Sequence, residues 1–256
     1  MRSRRPCSWT ISVALAPILL GVCATRTVVF DTEAPRGAIP AQAGRRGLVI
    51  AAPHGSSDVR TDAIAAELAR RTGFGVVIAT GFALEPDSRE ASGRRYQVNR
   101  PMEGVPGRPP SEEVVTARAR EVYDAYEQRV REVAQGPLRF LAEIHGNNHR
   151  DAAARIEIAT VGVDRELAFR LRTLLELIRD AHLRGTSGAP RLEVLVEPAD
   201  TLRYAASGAK RAGILRLPER ALHIELPKAA RAEWREVYTA ILADFLVQAA
   251  AYHPGR

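Results

Sequence analysis

The sequence predicts an α/β fold: a single three-layer domain whose mainly parallel, mixed sheet is covered by helices on both faces. Three observations lead there. From about residue 46 onward, short apolar runs alternate with segments of helical periodicity, the pattern of strand and helix units that build a parallel sheet. The chain, at 256 residues, is long enough for one generous core, and nothing in it divides that core in two. Several apolar runs end in residues able to do chemistry, His54, His145 and Glu225, and open α/β sheets place their sites at the carboxyl ends of strands.

The elements follow in order. A strand is expected at residues 48–52 and a helix at 61–71, capped by Thr61 or Asp62 and stopped by Gly73, with the next strand at 75–80. Residues 81–110 carry five prolines and several glycines, too long a polar stretch for a plain connection, and loops of that length are usually functional or disordered. Ser111 is then expected to cap a long helix whose apolar positions Val115, Val122, Tyr126, Val130 and Val133 recur at helical spacing and which ends at Gly136-Pro137. Strands at 138–144 and 156–161, a helix at 164–183, strands at 192–196 and 221–226 and a final amphipathic helix at 229–252 complete the order.

Ahead of this domain, residues 1–24 read as a signal peptide: Arg2, Arg4 and Arg5 form a basic start, and residues 11–22 form an apolar stretch too short to span a bilayer comfortably. The expected location is therefore outside the cytoplasm, periplasmic or secreted. Cleavage after Ala24 competes with a lipoprotein reading of Leu20-Gly-Val-Cys23, in which a lipid on Cys23 would be the protein's one link to a membrane. Residues 25–45, with Pro35, Gly37, Pro40 and Gly44, read as a linker, leaving 46–256 as the folded domain. Both cysteines, Cys7 and Cys23, lie in the leader, so a chain cut after Ala24 is expected to have no disulfide, no thiol nucleophile and no thiolate ligand, which leaves His, Asp and Glu as the ligand types available to a metal. The net charge of +7 is carried by arginines spread among acidic residues on helices, with Lys210 and Lys228 the only lysines, which describes a solvated surface and argues against a nucleic-acid partner.

In Gly47-Leu-Val-Ile-Ala-Ala-Pro-His54 and Phe140-Leu-Ala-Glu-Ile-His145, each imidazole stands where a buried strand emerges into a loop, and two such ends can share one metal. Asp58, four residues past His54, offers a third ligand, and Glu225 in Ala221-Leu-His-Ile-Glu-Leu226 ends a later run in the same way. Three nitrogen or oxygen ligands leave a fourth position for water, and a nearby carboxylate can take its proton. Glu143 lies two residues before His145 on the same strand face, where it can orient that ligand or approach the metal itself. His223 shares the face of Glu225; His149 is a loop residue, and His182 and His253 have no assigned role.

At these motifs the sequence resembles the N-formylglutamate amidohydrolases, which are similar to zinc carboxypeptidases. Ala52-Pro-His-Gly-Ser-Ser-Asp58 resembles the first metal motif and Arg94-Arg-Tyr-Gln-Val-Asn-Arg100 the substrate segment. Tyr123-Asp-Ala-Tyr126, Leu141-Ala-Glu-Ile-His145, Ile156-Glu-Ile-Ala-Thr-Val-Gly162 and Leu222-His-Ile-Glu-Leu226 then follow in the family's order, over most of residues 46–245. The resemblance implies a phosphorylase/hydrolase-like, zinc carboxypeptidase-like fold, one zinc ion on His54, Asp58 and His145, and Glu225 as general base and later acid. It also implies that Asn99 and Arg100, with Arg95 as competing clamp, hold a substrate carboxylate. The chain departs from the family in its 81–110 loop and in lacking the tyrosine that commonly follows the final glutamate.

The leading expectation is therefore a zinc-dependent amidohydrolase acting on a small-molecule, peptide or peptidoglycan-derived amide that carries a carboxylate. One alternative is a peptidoglycan amidase, because Ile144-His-Gly-Asn147 resembles the strand of N-acetylmuramoyl-alanine amidases; it needs a glutamate ligand from Glu67, Glu85 or Glu90. The other is an exported binding protein that keeps the fold without turnover. No Gly-x-Ser-x-Gly elbow is present for a serine hydrolase.

Overall fold

A computed structural model describes residues 37–55, 57–84, 93–105 and 108–252. The expected signal peptide, Cys23, Glu85, Glu90 and His253 lie outside the described residues. In chain order the elements are strands β1 (Ala41–Gln42) and β2 (Arg45–Ala52), helix α1 (Thr61–Thr72), strand β3 (Phe74–Ile78) and the short strands β4 (Ala83–Leu84), β5 (Arg94–Tyr96) and β6 (Glu103–Gly104). Helix α2 (Ala117–Ala134), strands β7 (Phe140–Gly146) and β8 (Arg155–Val161), helix α3 (Arg165–Leu183) and strand β9 (Glu193–Val196) follow. The chain closes with helix α4 (Ser207–Ala212), strand β10 (Arg220–Leu226) and helices α5 (Lys228–Arg231) and α6 (Arg235–Ala251).

Seven strands form one mixed sheet in the order β1-β3-β2-β7-β10-β8-β9. The four central strands β3, β2, β7 and β10 are mutually parallel; β8 is antiparallel to β10, β9 is parallel to β8, and β1 is antiparallel to β3. This is the α/β sheet that the alternation of elements predicts.

The two faces of the sheet differ in chemistry. Because strand side chains alternate, Leu48, Ile50, Phe140, Ala142, Ile144, Leu222 and Ile224 share one face, which is apolar throughout and buried under α1, α3 and α6. On the other face Val49, Ala51, Leu141 and Ala221 pack against α2 through Val122, Tyr126, Val130 and Val133. Beyond them, toward the carboxyl ends, the same rows continue as Glu143 and His145 on β7 and His223 and Glu225 on β10. Register places Glu143 beside His223, and Glu225 between His145 and Glu157 of β8.

Four sequence expectations are corrected. Residues 41–42, assigned to a linker, pair with β3 as β1, and Ala38 bridges Thr80, so the domain begins before residue 46. The 81–110 segment is in part a three-stranded antiparallel sheet, β4-β5-β6. Helix α2 starts six residues later than Ser111: Pro110–Glu112 form a single 3-10 turn, Val114 pairs with Glu103, and Thr116 caps the helix by accepting the Ala119 amide at 3.0 Å. Val115 thus stands outside the helix and is exposed. The final helix is broken between Arg231 and Arg235, where Arg231 turns into the sheet end.

Because the Thr116 hydroxyl satisfies an otherwise orphaned amide, Thr116→Ala is expected to lower stability by about 1 kcal/mol. Urea unfolding should register that loss and none for Ser111→Ala; the reverse pattern would restore Ser111 as the cap.

Candidate metal centre

The β2 strand ends at Ala52, and the turn into α1 folds back on itself: the Asp58 amide donates to the His54 carbonyl at 2.8 Å, and the Thr61 amide and hydroxyl both donate to the Asp58 carbonyl. This compact turn returns the Asp58 carboxylate to the His54 ring. Asp58 Oδ2 lies 3.3 Å from His54 Nδ1, 3.5 Å from His145 Nδ1 and 3.3 Å from the Gly146 amide that donates to it. All three side chains are buried. One carboxylate oxygen thus sits between two imidazole nitrogens brought from two parallel strands.

These donors suit a metal ion. A tetrahedral ion with bonds of about 2.0–2.1 Å sets its ligand atoms about 3.3 Å apart, close to the two separations around Asp58 Oδ2. His54 Nε2 lies 3.0 Å from the Gln97 carbonyl; as a donor there it leaves Nδ1 with its lone pair toward the site, the support a ligating histidine needs. Arg95 donates to the other Asp58 oxygen at 3.3 Å. Among the described residues one further group, Glu143, His145 and His223, brings potential ligands together. It lies deeper. Glu143 is fully buried and already accepts from Asn99 Nδ2 and the Tyr126 hydroxyl, each at 3.1 Å. His54, Asp58 and His145 line a cleft of about 750 Å³ together with His223 and Glu225, so a metal on them could meet a substrate.

Charge follows burial. Burial, then the Arg95 charge, pull His54 down to about 4, so its ring is neutral near pH 7. Burial also works against a charged His145, but the carboxylates of Asp58 and Glu143, each 3.5 Å from a ring nitrogen, and the charge of Glu225 outweigh it and hold the ring up at about 10. Burial raises Asp58 and Glu143, and the neighbouring imidazoles more than offset this, keeping both carboxyls well below the usual range. Of the two imidazoles, His145 is therefore the one that holds a proton near pH 7.

The remaining predicted residues are distributed differently. Glu225 is buried at the cleft, its Oε1 3.3 Å from His223 Nε2, and neither Arg216 nor Arg220 pairs with it; Arg220 donates instead to the Ala249 and Tyr252 carbonyls. Asn99, expected on the substrate, is fully buried and donates to Glu143. Arg100, expected as the clamp, is held by Glu113 through Nε and Nη2 at 2.8–3.1 Å, so most of its fork is engaged within the protein. Between them and Gln97 lies Val98, whose φ of 56° is an uncommon, strained conformation for a β-branched residue; the turn aims the Gln97 carbonyl at His54 and the Asn99 amide at Glu143. Glu67 is on the α1 surface, paired with Arg70 and Arg71, and does not reach the centre.

The sequence reading did not single out Tyr126 as a partner of Glu143, nor Glu157. The latter is fully buried beside Arg155 and accepts the backbone amides of Arg203 and Tyr204 at 2.9 Å, pinning that segment to the sheet at the cleft. Its signal was present: like Glu143, it is a lone carboxylate inside an apolar strand.

No protein-family model and no curated protein matches this sequence. Among solved structures, the chain is similar to a bacteriophage poly-gamma-glutamate hydrolase at 13% identity and a TM-score of 0.48, over 84% of this chain and 88% of that one. It is similar to a gene product of Agrobacterium tumefaciens at 17% identity and a TM-score of 0.45, over 83% and 93%. A candidate metallopeptidase from Shewanella amazonensis gives 15% identity and a TM-score of 0.36, over 83% and 79%. All three scores lie below 0.5, and the functional reading rests on the chain's own side chains.

Because His145 carries a proton in the metal-free centre and His54 does not, zinc binding at pH 7 is expected to release about one proton per ion, with affinity rising about tenfold per pH unit from pH 6 to 9. Calorimetric titration in buffers of differing ionisation heat measures the count. A release of zero would mean that His145 is neutral before the metal arrives.

Proposed function

We propose that the protein is a metal-dependent hydrolase of amide or peptide bonds, with zinc as its ion and chemistry similar to that of the N-formylglutamate amidohydrolases. The observation that carries the reading is the convergence of His54 Nδ1 and His145 Nδ1 on Asp58 Oδ2 at the wall of a cleft that also presents Glu225. Zinc held by two neutral imidazoles and one carboxylate supplies Lewis acidity, which polarises a carbonyl and makes water a nucleophile near neutral pH.

The protein's own groups do the rest. Glu225, neighbour of His145 in the β7 and β10 register, accepts the proton of the attacking water as its oxygen bonds to the amide carbon. When the carbon–nitrogen bond breaks, Glu225 returns that proton to the leaving nitrogen, so that an acid and an amine are the products. His223, 3.3 Å from Glu225 and 3.4 Å from Glu143, fixes the orientation of the carboxylate. The cleft is lined by Arg95, Arg100, Arg108, Arg203 and Arg211 against four carboxylates, and this excess of guanidinium groups favours a substrate bearing a carboxylate. Arg95 stands next to the centre and is partly exposed. Arg100 gives Nε and Nη2 to Glu113 whereas Arg95 gives only Nη2 to Asp58, which makes Arg95 the stronger clamp of the two, while Asn99 contributes by holding Glu143. The basic, apolar leader supports an extracytoplasmic location and, with it, peptide or peptidoglycan-derived amides as substrates.

The test is hydrolysis of N-acyl-glutamate and glutamyl-peptide panels by the zinc-loaded protein. Glu225→Gln should keep its zinc and lose about 10²–10⁴ in turnover. Full turnover by a zinc-loaded Glu225→Gln would remove Glu225 from the chemistry, and no turnover of any amide by the loaded parent would favour the non-catalytic binding protein.

A further inference from the structure

Arg231 has no place in the reaction, yet it is almost wholly buried at the end of α5. Each arm of its guanidinium ends on a different strand-end segment. Nε donates to the Leu226 carbonyl at 3.1 Å, one residue past Glu225. Nη1 donates to the Val59 carbonyl at 2.6 Å, one residue past Asp58. Nη2 donates to the Asn147 carbonyl at 3.0 Å, two residues past His145, and to Asn148 Oδ1 at 2.9 Å. The Asn147 amide in turn donates to the Leu226 carbonyl at 3.0 Å, closing the arrangement.

The approach is close on its fourth side as well. A Cβ on Gly146 would lie 2.5 Å from the Arg231 Cζ, so the guanidinium occupies space that any other residue at 146 would fill. Gly146 is the residue whose amide donates to Asp58 Oδ2. The break between α5 and α6 lets Arg231 reach this point. We infer that Arg231 is a positioning residue: its planar fork ties the three strand-end segments carrying Asp58, His145 and Glu225 into one rigid unit and so sets the geometry of the metal centre. A lysine, with a single point of charge and no fork, cannot serve four acceptors lying in different directions.

This inference rests on the metal reading above, and the experiment separates the two. The full chain and Arg231→Lys are loaded with cobalt(II), and the affinity and the visible absorption spectrum are recorded at a temperature where circular dichroism shows both metal-free proteins folded. The expected result is one cobalt per parent chain, an affinity about 10–100-fold weaker in Arg231→Lys, the range for partners that orient ligands, and a shifted spectrum reporting altered coordination. A purely structural arginine would lower the melting temperature and leave affinity and spectrum unchanged, which would overturn the inference alone. A parent chain that takes up no cobalt would overturn the metal reading and this inference with it. Should Arg231→Lys not fold, Gly146→Ala, whose methyl displaces the guanidinium, decides by the same two readouts.

Discussion

Four carboxylates, Asp58, Glu143, Glu157 and Glu225, stand almost out of water at the carboxyl ends of β7 and β10 and beside them. Removing an ion from water costs several kcal/mol even after relaxation unless partners replace the lost hydration. Much of the surrounding architecture is that replacement. Glu157 takes Arg155 and two backbone amides; Glu143 takes Tyr126, Asn99 and two imidazole neighbours; Asp58 takes Arg95, the Gly146 amide and both His54 and His145. The apolar face of the same sheet has no such obligations and supplies the cohesion that keeps these groups in place.

Of the two groups of potential ligands among the described residues, this balance favours a cation at Asp58. Glu143 and Glu157 are satisfied by fixed partners, whereas Asp58 is held between two imidazoles of opposite tendency, one pushed toward neutrality and one toward protonation. A divalent ion bound here would replace the His145 proton and meet two neutral nitrogens and a carboxylate in one exchange. The deeper trio of Glu143, His145 and His223 instead supports the centre: Glu143 faces Nε2 of His145 at 3.5 Å while Nδ1 faces Asp58.

The sheet, its parallel centre and the meeting of His54, Asp58, His145 and Glu225 were legible in the sequence because they depend on local signals: apolar runs, turn residues after them, and a change of chemistry at each run's end. What escaped depends on distance along the chain. Asn99 bonds Glu143 across 44 positions and Arg231 bonds Val59 across 172; neither pairing leaves a periodic trace. Arg100 was legible as an arginine in a substrate-like segment, but Glu113, which holds it, comes from a stretch whose extended pairing with β6 was hidden because Val115 falls at helical spacing with Val122 and so reads as the first turn of α2. The break before α6 was hidden for the opposite reason, since apolar residues continue through it at helical spacing.

The central claim is that His54, Asp58 and His145 hold one metal ion, and elemental analysis of the purified protein beside its His54→Ala and His145→Ala variants tests it most directly. The account predicts about one zinc per chain in the parent and none retained by either variant after dialysis, as loss of one of three protein ligands requires. Full zinc retention by both variants, or no uptake by the parent under any loading, would contradict it.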